Sequence, residues 1–163
     1  TVTFASPSKS NSFLKDVTID NPAGVTLASD MFITGQLGST AGTTGLLLAG
    51  GKKVTVSGGL NADGLVLDNV LIDVSGGTIT KFDNVTFRNY GVTATQFTIS
   101  HPGAATPFAF NGLTFAVTPT TGLYLKATDS AADANTLTIN LPGSSPADGS
   151  QFTSTAGGAV VNW

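Results

Sequence analysis

Apolar residues recur at every second position in short runs along most of the chain, as at Val70 and Ile72 or at Phe97 and Ile99. Because successive side chains of a β-strand point to opposite faces, this period predicts strands with one buried face. Glycine, proline or asparagine follows most runs, as at Gly76-Gly77, and these residues favour turns. The pattern therefore predicts an all-β fold. The residues expected in its core include Val70, Ile72, Val85, Phe87, Leu113 and Phe115.

The composition excludes several other classes of protein. Charged residues make up 10% of the 163 residues, there is no glutamate or cysteine, and the net charge is −3. Strong helix formers are therefore scarce, which excludes a helical bundle, a coiled coil and most α/β enzymes. Seven Lys and Arg residues scattered along an acidic chain exclude an electrostatic nucleic-acid binder. No apolar stretch approaches the roughly 18 residues of a membrane-spanning helix, so we expect no membrane insertion by this chain.

One phrase recurs along the chain. In each copy an apolar residue precedes a polar pair, which is followed by an apolar residue, any residue and another apolar residue. The polar pair predicts a bend between two short strands, because Asp, Asn and Gly tolerate turn conformations. Recurrence of this kind is typical of a solenoid, in which each repeat buries its apolar face against its neighbours. The four copies are Leu14–Asp20, Leu67–Asp73, Phe82–Arg88 and Phe110–Ala116.

The third copy, Phe82-Asp-Asn-Val-Thr-Phe-Arg-Asn89 followed by Gly91, resembles a family of proteins. It looks like a repeat of the bacterial right-handed parallel β-helices, the pectin-lyase-like architecture of many exported surface proteins. The likeness spans roughly residues 14 to 141. It implies a right-handed parallel β-helix and an extracellular or cell-surface location. It does not identify any catalytic residue in this chain.

The spacing of the copies leaves a second architecture open. Their first residues, Leu14, Leu67, Phe82 and Phe110, are separated by 53, 15 and 28 positions. The 15-residue step is short for a full repeat, so some copies are expected on different faces of the molecule. An antiparallel β-sandwich, with strands and turns every 8–12 residues, is the alternative. In either case we expect residues 1–163 to form a single β domain, a unit within a larger polypeptide or assembly.

Few residues are candidates for catalysis. The single histidine, His101, precedes Pro102-Gly103 and is interpreted as a loop residue. Asp68, Asp73 and Asp83 belong to the repeated phrases, and stacking in register would bring Asp68 onto Asp83, or Asn69 onto Asn84. Such paired acids are used by polysaccharide hydrolases. We interpret them instead as bend residues, and we expect no enzyme activity and no catalytic site.

Two further kinds of site, a calcium loop and an aromatic platform for a glycan, have partial signals in the sequence. Asn61-Ala-Asp63-Gly64 and Ala147-Asp148-Gly149 look like fragments of calcium loops, but each supplies one carboxylate where calcium needs six to eight oxygens. We therefore expect no metal and no cofactor. Tyr90, Tyr124 and Trp163 are candidates for an aromatic platform that binds a glycan, although they are dispersed in the sequence.

The small number of reactive side chains favours a non-catalytic structural or adhesive module of an exported bacterial surface or appendage protein. A carbohydrate-binding module, or a degenerate polysaccharide-active β-helix, is the alternative. The apolar segment that contains Val160, Val161 and Trp163 is a possible interaction edge, because exposed strand edges recruit other chains. The expected partners are neighbouring domains, copies of the same chain, and glycans.

Overall fold

The computed structural model describes residues 14–163 and the backbone of Thr3–Phe4. These residues form short strands, turns and one 3-10 turn, Ser150–Phe152, without an α-helix. The all-β prediction is therefore confirmed. The strands are β1 (Thr3–Phe4), β2 (Val17–Thr18), β3 (Val25–Leu27), β4 (Met31–Ile33), β5 (Gln36–Gly38), β6 (Leu46–Val56), β7 (Gly59–Asp63), β8 (Val66–Val74), β9 (Thr78–Asp83), β10 (Thr86–Arg88), β11 (Thr95–His101), β12 (Phe108–Ala109), β13 (Thr114–Phe115), β14 (Leu123–Asp129), β15 (Thr138–Asn140), β16 (Thr153–Ala156) and β17 (Val160–Asn162).

The strands of the described chain form three sheets. Ten strands form the largest sheet, whose main path runs β1-β3-β6-β8-β11-β14-β16, and the order of the others is β2-β5-β7-β9 and β12-β15-β17. In the described part of the chain, all strands that pair with each other run parallel. The antiparallel sandwich is therefore wrong. Its hairpins would pair strands that are neighbours in the sequence, whereas no two consecutive strands of the described chain pair with each other.

The two longest strands bend within the ten-stranded sheet. The first part of β8 pairs with β10, and its second part pairs with β11. Asn69 lies between the two parts with a φ of 53°, a left-handed conformation that asparagine tolerates better than most residues. Gly50 and Gly51 provide the corresponding bend of β6, where the register with β8 shifts. A single strand can thus contribute to two differently directed parts of the sheet.

The core consists of inward side chains stacked in register across successive strands. Leu47 pairs with Leu67, Leu67 with Phe87, and Phe87 with Phe115, and all four are buried. The rings of Phe87 and Phe115 are stacked with centroids 4.9 Å apart. The six core residues expected from the sequence are all buried, so this prediction is confirmed. Those residues are Val70, Ile72, Val85, Phe87, Leu113 and Phe115.

A stack of left-handed residues joins the smaller sheets to the larger one. Gly64, Asn84, Gly112 and Gly143 have φ values of 80°, 53°, 66° and 68°. Their turns are linked by backbone hydrogen bonds, among them Asn84 N–H to the carbonyl of Asn111 at 2.7 Å. The prediction that the polar pair forms a bend is confirmed for Phe82–Arg88, because Asn84 lies between β9 and β10. We call this stack the polar corner.

Candidate functional site

His101 links two adjacent turns of the chain. Its Nε2 lies 2.7 Å from the carbonyl oxygen of Gly77, and its Nδ1 lies 2.6 Å from that of Pro102. The ring also meets Phe108 edge-on, with centroids 5.1 Å apart. Both ring nitrogens thus lie against backbone oxygens of the fold. The imidazole therefore acts as a structural clamp in the described structure.

Asp68 does not stack on Asp83, nor Asn69 on Asn84, as stacking of the repeated phrases in register would require. Asp68 Oδ2 accepts hydrogen bonds from Arg88 Nε at 2.8 Å and Asn89 Nδ2 at 2.9 Å. Strand β8 pairs with β10 so that Asp68 faces Arg88, twenty residues later. The 15-residue step from Leu67 to Phe82 is shorter than this repeat, so the two phrases occupy different faces.

The acids that do meet are Asp63 and Asp83, which are register partners in β7 and β9. Asp63 accepts hydrogen bonds from Lys81 Nζ and Asn84 Nδ2, and these donors, led by Lys81, hold its pKa below the ordinary value of 3.8. Asp83 Oδ1 accepts from the backbone and side-chain nitrogens of Asn111 at 2.8 and 3.0 Å. The stacked carboxylates thus have separate donors that offset their mutual repulsion.

The pairing of Asp63 with Asp83 could have been predicted from a two-residue pattern shorter than the repeated phrase. Asp63-Gly64, Asp83-Asn84 and Asn111-Gly112 each follow a buried apolar residue, and each ends in a left-handed residue. A general acid of a glycosidase requires a raised pKa, whereas that of Asp63 is lowered. Asp63 is therefore suited to holding adjacent turns together rather than to acting as a general acid.

The acids of the two calcium-like fragments are also engaged by protein groups. Asp148 Oδ1 accepts a hydrogen bond from the backbone N–H of Ser150 at 2.8 Å, and the Ser150 donors lower the pKa of Asp148. Asp63 is bound by Lys81 and Asn84 as described above. Among the residues that the structure describes, no group of three or more His, Cys, Asp or Glu side chains is placed to hold a metal ion.

The three candidate aromatic residues do not form an exposed platform. Tyr90 and Tyr124 are buried, and the Tyr90 hydroxyl donates a hydrogen bond to the carbonyl of Val117. Burial is the main cause that raises the pKa of Tyr90 to about 12. Trp163 packs on Phe115 and Tyr124, with centroids 5.9 Å away in both cases. These rings belong to the core, so the aromatic sugar platform expected from them is wrong.

The predicted interaction edge lies at one end of the three-stranded sheet. Val160 and Val161 belong to β17, which pairs with β15 and is the outermost strand of the described sheet. The side chain of Val160 is 42% exposed, whereas Val161 packs against the core. Trp163 Nε1 donates to Thr153 Oγ1 at 3.0 Å. The backbone edge of β17, with Val160 beside it, is thus the exposed part of this segment.

A polar groove runs over the outer face of the four-stranded sheet and encloses about 370 Å³. Its floor is a row of register partners: Thr18 opposite Gly38, Gly38 opposite Asn61, and Asn61 opposite Lys81. Asp16 borders it on one side, where its Oδ1 accepts a hydrogen bond from the backbone N–H of Gln36 at 2.8 Å. Hydroxyl, amide, carboxylate and ammonium groups all line this groove.

A second cavity of about 560 Å³ adjoins the groove, and Lys81 lines both. Leu60 pairs with Ile79 and Asn61 with Lys81, so the intervening Thr80 forms a bulge in β9. A bulge bends and twists its strand, and β9 forms no ladder with β12, which starts the three-stranded sheet. The cavity lies where the two sheets meet, between β9 and residues 104–109.

The described residues contain no helical segment with the length and hydropathy of a membrane span. Comparison with protein-family models, with curated proteins and with solved structures finds no match for this chain.

Proposed function

We propose that this chain is a non-catalytic structural module of an exported bacterial surface or appendage protein, built as a right-handed parallel β-helix. The observation that carries the proposal is the parallel pairing of strands from β1 to β17, with buried apolar columns inside it. A coil of this kind satisfies its backbone groups between adjacent turns and becomes a stiff rod. Such a rod is suited to a spacer or a stalk outside the cell.

The residues that join adjacent turns support a mechanical role. The hydrogen bonds of the polar corner, of the Asp68–Arg88 ion pair and of the His101 clamp link residues that are 19 to 30 positions apart in the sequence. Most groups with chemical reactivity are thereby engaged in contacts between turns. This arrangement favours load-bearing over catalysis, because catalysis requires groups that are free to change partner or protonation state.

The exposed edge of β17 is the proposed site of assembly. Unpaired N–H and C=O groups along a strand edge accept another parallel strand, from a neighbouring domain or a second copy. Sedimentation of the chain across a concentration series tests the self-pairing form. We expect reversible association, abolished by replacing both Val160 and Val161 with lysine. Val92→Lys is the matched control, since Val92 is 38% exposed and does not belong to β17. A parent that stays monomeric throughout contradicts self-pairing.

A carbohydrate-binding module is the second candidate. The polar groove favours it, because its floor and sides combine hydroxyl, amide and carboxylate groups across several strands. Retention of the chain on an insoluble neutral polysaccharide tests this candidate independently of the self-association experiment. Failure to bind any such polymer, with the fold intact, counts against it.

A further inference from the structure

The floor of the polar groove has no side chain at Gly38. Its register partners on either side, Thr18 and Asn61, carry side chains, whereas Gly38 carries none. A Cβ atom at Gly38 would lie 2.8 Å from the carbonyl oxygen of Asn61, closer than side-chain carbons normally approach. The backbone geometry therefore excludes a larger residue there. Gly38 is itself buried, so the floor offers polar side chains only on either side of it.

Two side chains of the groove floor are free to bind a ligand, whereas a border residue is held by the fold. Ser39 Oγ donates to the carbonyl of Asp63 at 2.9 Å and accepts from the Asp63 N–H at 2.8 Å, which holds one border in place. The side chains of Thr18 and Asn61 make no hydrogen bond to any protein group in the described part of the chain. They offer donors and acceptors to a ligand without breaking a contact of the fold.

The length and charge of the combined site define the class of ligand. Four neighbouring strands at about 4.8 Å spacing extend roughly 14 Å, and the second cavity continues the site beyond Lys81. Asp16 and Asp63 carry two negative charges against one positive charge on Lys81. A polyanionic chain is therefore disfavoured. Beyond Lys81, Ile79 and Phe108 are half-buried apolar side chains against which a sugar ring can pack.

We infer that the polar groove and the second cavity form one site for an uncharged oligosaccharide that lies across the strands. This inference rests on the carbohydrate-binding candidate and names its site, its direction and its ligand class. Hydroxyls of the sugar bond the free groups of Thr18 and Asn61, which lie on either side of Gly38. The spacer role does not depend on it, since no residue of β17 lines the groove or the second cavity.

Calorimetric titration with cellohexaose, mannohexaose and xylohexaose tests the inference, with polygalacturonate as the anionic comparison. We expect at least one neutral hexasaccharide to bind, and Asn61→Ala to weaken that binding about fivefold, the typical effect of losing one hydrogen-bonding group. Asn162→Ala is the matched control, because Asn162 is an exposed asparagine on β17 outside the groove. It should leave the affinity unchanged.

Each other outcome overturns a distinct part of the inference. Binding that Asn61→Ala leaves unchanged removes the groove as the site, while the carbohydrate-binding candidate stands. Tighter binding of polygalacturonate, lost in Asn61→Ala, overturns the uncharged ligand class. Absence of binding to all three hexasaccharides and to polygalacturonate, in a folded protein, overturns both the inference and that candidate.

Discussion

Asp68 and Arg88 face each other across the parallel pair β8–β10, with Asp68 Oδ2 2.8 Å from Arg88 Nε. The two residues are 20 positions apart in the sequence and follow the buried partners Leu67 and Phe87. The arginine side chain is 43% exposed and the aspartate 16%. One repeat at this point is therefore 20 residues long. Asp68 and Arg88 are equivalent positions of successive repeats on the outer surface, and Leu67 and Phe87 are equivalent positions in the core.

A double-mutant cycle with Asp68→Asn and Arg88→Gln should give a small coupling energy. Exposed ion pairs typically contribute about 0.2–1 kcal/mol, because water screens them. The coupling should fall further in 1 M salt. Urea unfolding of the four proteins measures it. A coupling above about 2 kcal/mol would show that the pair behaves as a buried one.

Phe87→Ala should destabilise the protein strongly. Phe87 is fully buried and stacks on Phe115, so truncation leaves a cavity in the core at a typical cost of about 3–5 kcal/mol. Thr86→Ala, at the half-buried outward position next to it, should change stability by less than about 0.5 kcal/mol. Thermal or urea unfolding compares them. Equal, small effects would contradict the inward and outward assignment.

Substitution of Asn84 should separate backbone conformation from hydrogen bonding. Asn84→Gly keeps the left-handed conformation at φ 53° but loses the bond to Asp63, at a cost of about 1 kcal/mol. Asn84→Ala loses both, and the left-handed conformation costs alanine roughly 1–2 kcal/mol more. Unfolding in urea gives both values. An alanine variant as stable as the glycine variant would argue against conformational strain at the polar corner.

Acid should destabilise the protein as the pH falls through the carboxylate range. Hydrogen bonds from the Thr40 hydroxyl and backbone N–H lower the pKa of Asp20 below 3.8, and the backbone N–H of Leu137 lowers that of Asp129. A carboxyl group whose pKa is lower in the folded state stabilises the fold fully when the pH is above its unfolded-state pKa. This stabilisation is lost as the pH falls through its folded-state pKa. Stability should therefore decline below about pH 3.8.

Asp20→Asn should reduce this acid dependence, because the variant removes one titrating group. Thr40→Val, which removes one hydroxyl donor, should reduce it by a smaller amount. Urea midpoints between pH 2 and pH 6 measure the effect. Identical pH profiles for the parent and Asp20→Asn would exclude Asp20 as a contributor.

The chain should release no sugar product from acidic or neutral polysaccharides. The lowered pKa of Asp63 leaves it ionised near neutral pH, and Asp83 is bound by Asn111. Assays for reducing ends and unsaturated products check this expectation. Product formation that disappears in a folded Asp83→Asn or His101→Ala variant would show that the protein is an enzyme.

Much of the local structure was predictable because it depends on neighbouring residues. Alternation predicted the buried positions of Val70, Ile72 and Phe87, since a strand turns every second side chain to the same face. The polar pair at Asp83-Asn84 predicted a bend, because asparagine adopts left-handed conformations. The polar groove was not predicted. Its floor combines Thr18, Gly38 and Asn61, which no local pattern connects.

The sequence by itself determined the all-β class and the inward face of individual strands, because both follow from side-chain preferences at short range. Only the tertiary structure decided which turns lie side by side. The repeated phrase suggested Asp68 beside Asp83, but the strand register places Asp68 beside Arg88 and Asp63 beside Asp83. Register depends on how many residues each connection uses before the chain returns to the same face. That length varies from turn to turn here, and it is set by the packing of the whole core.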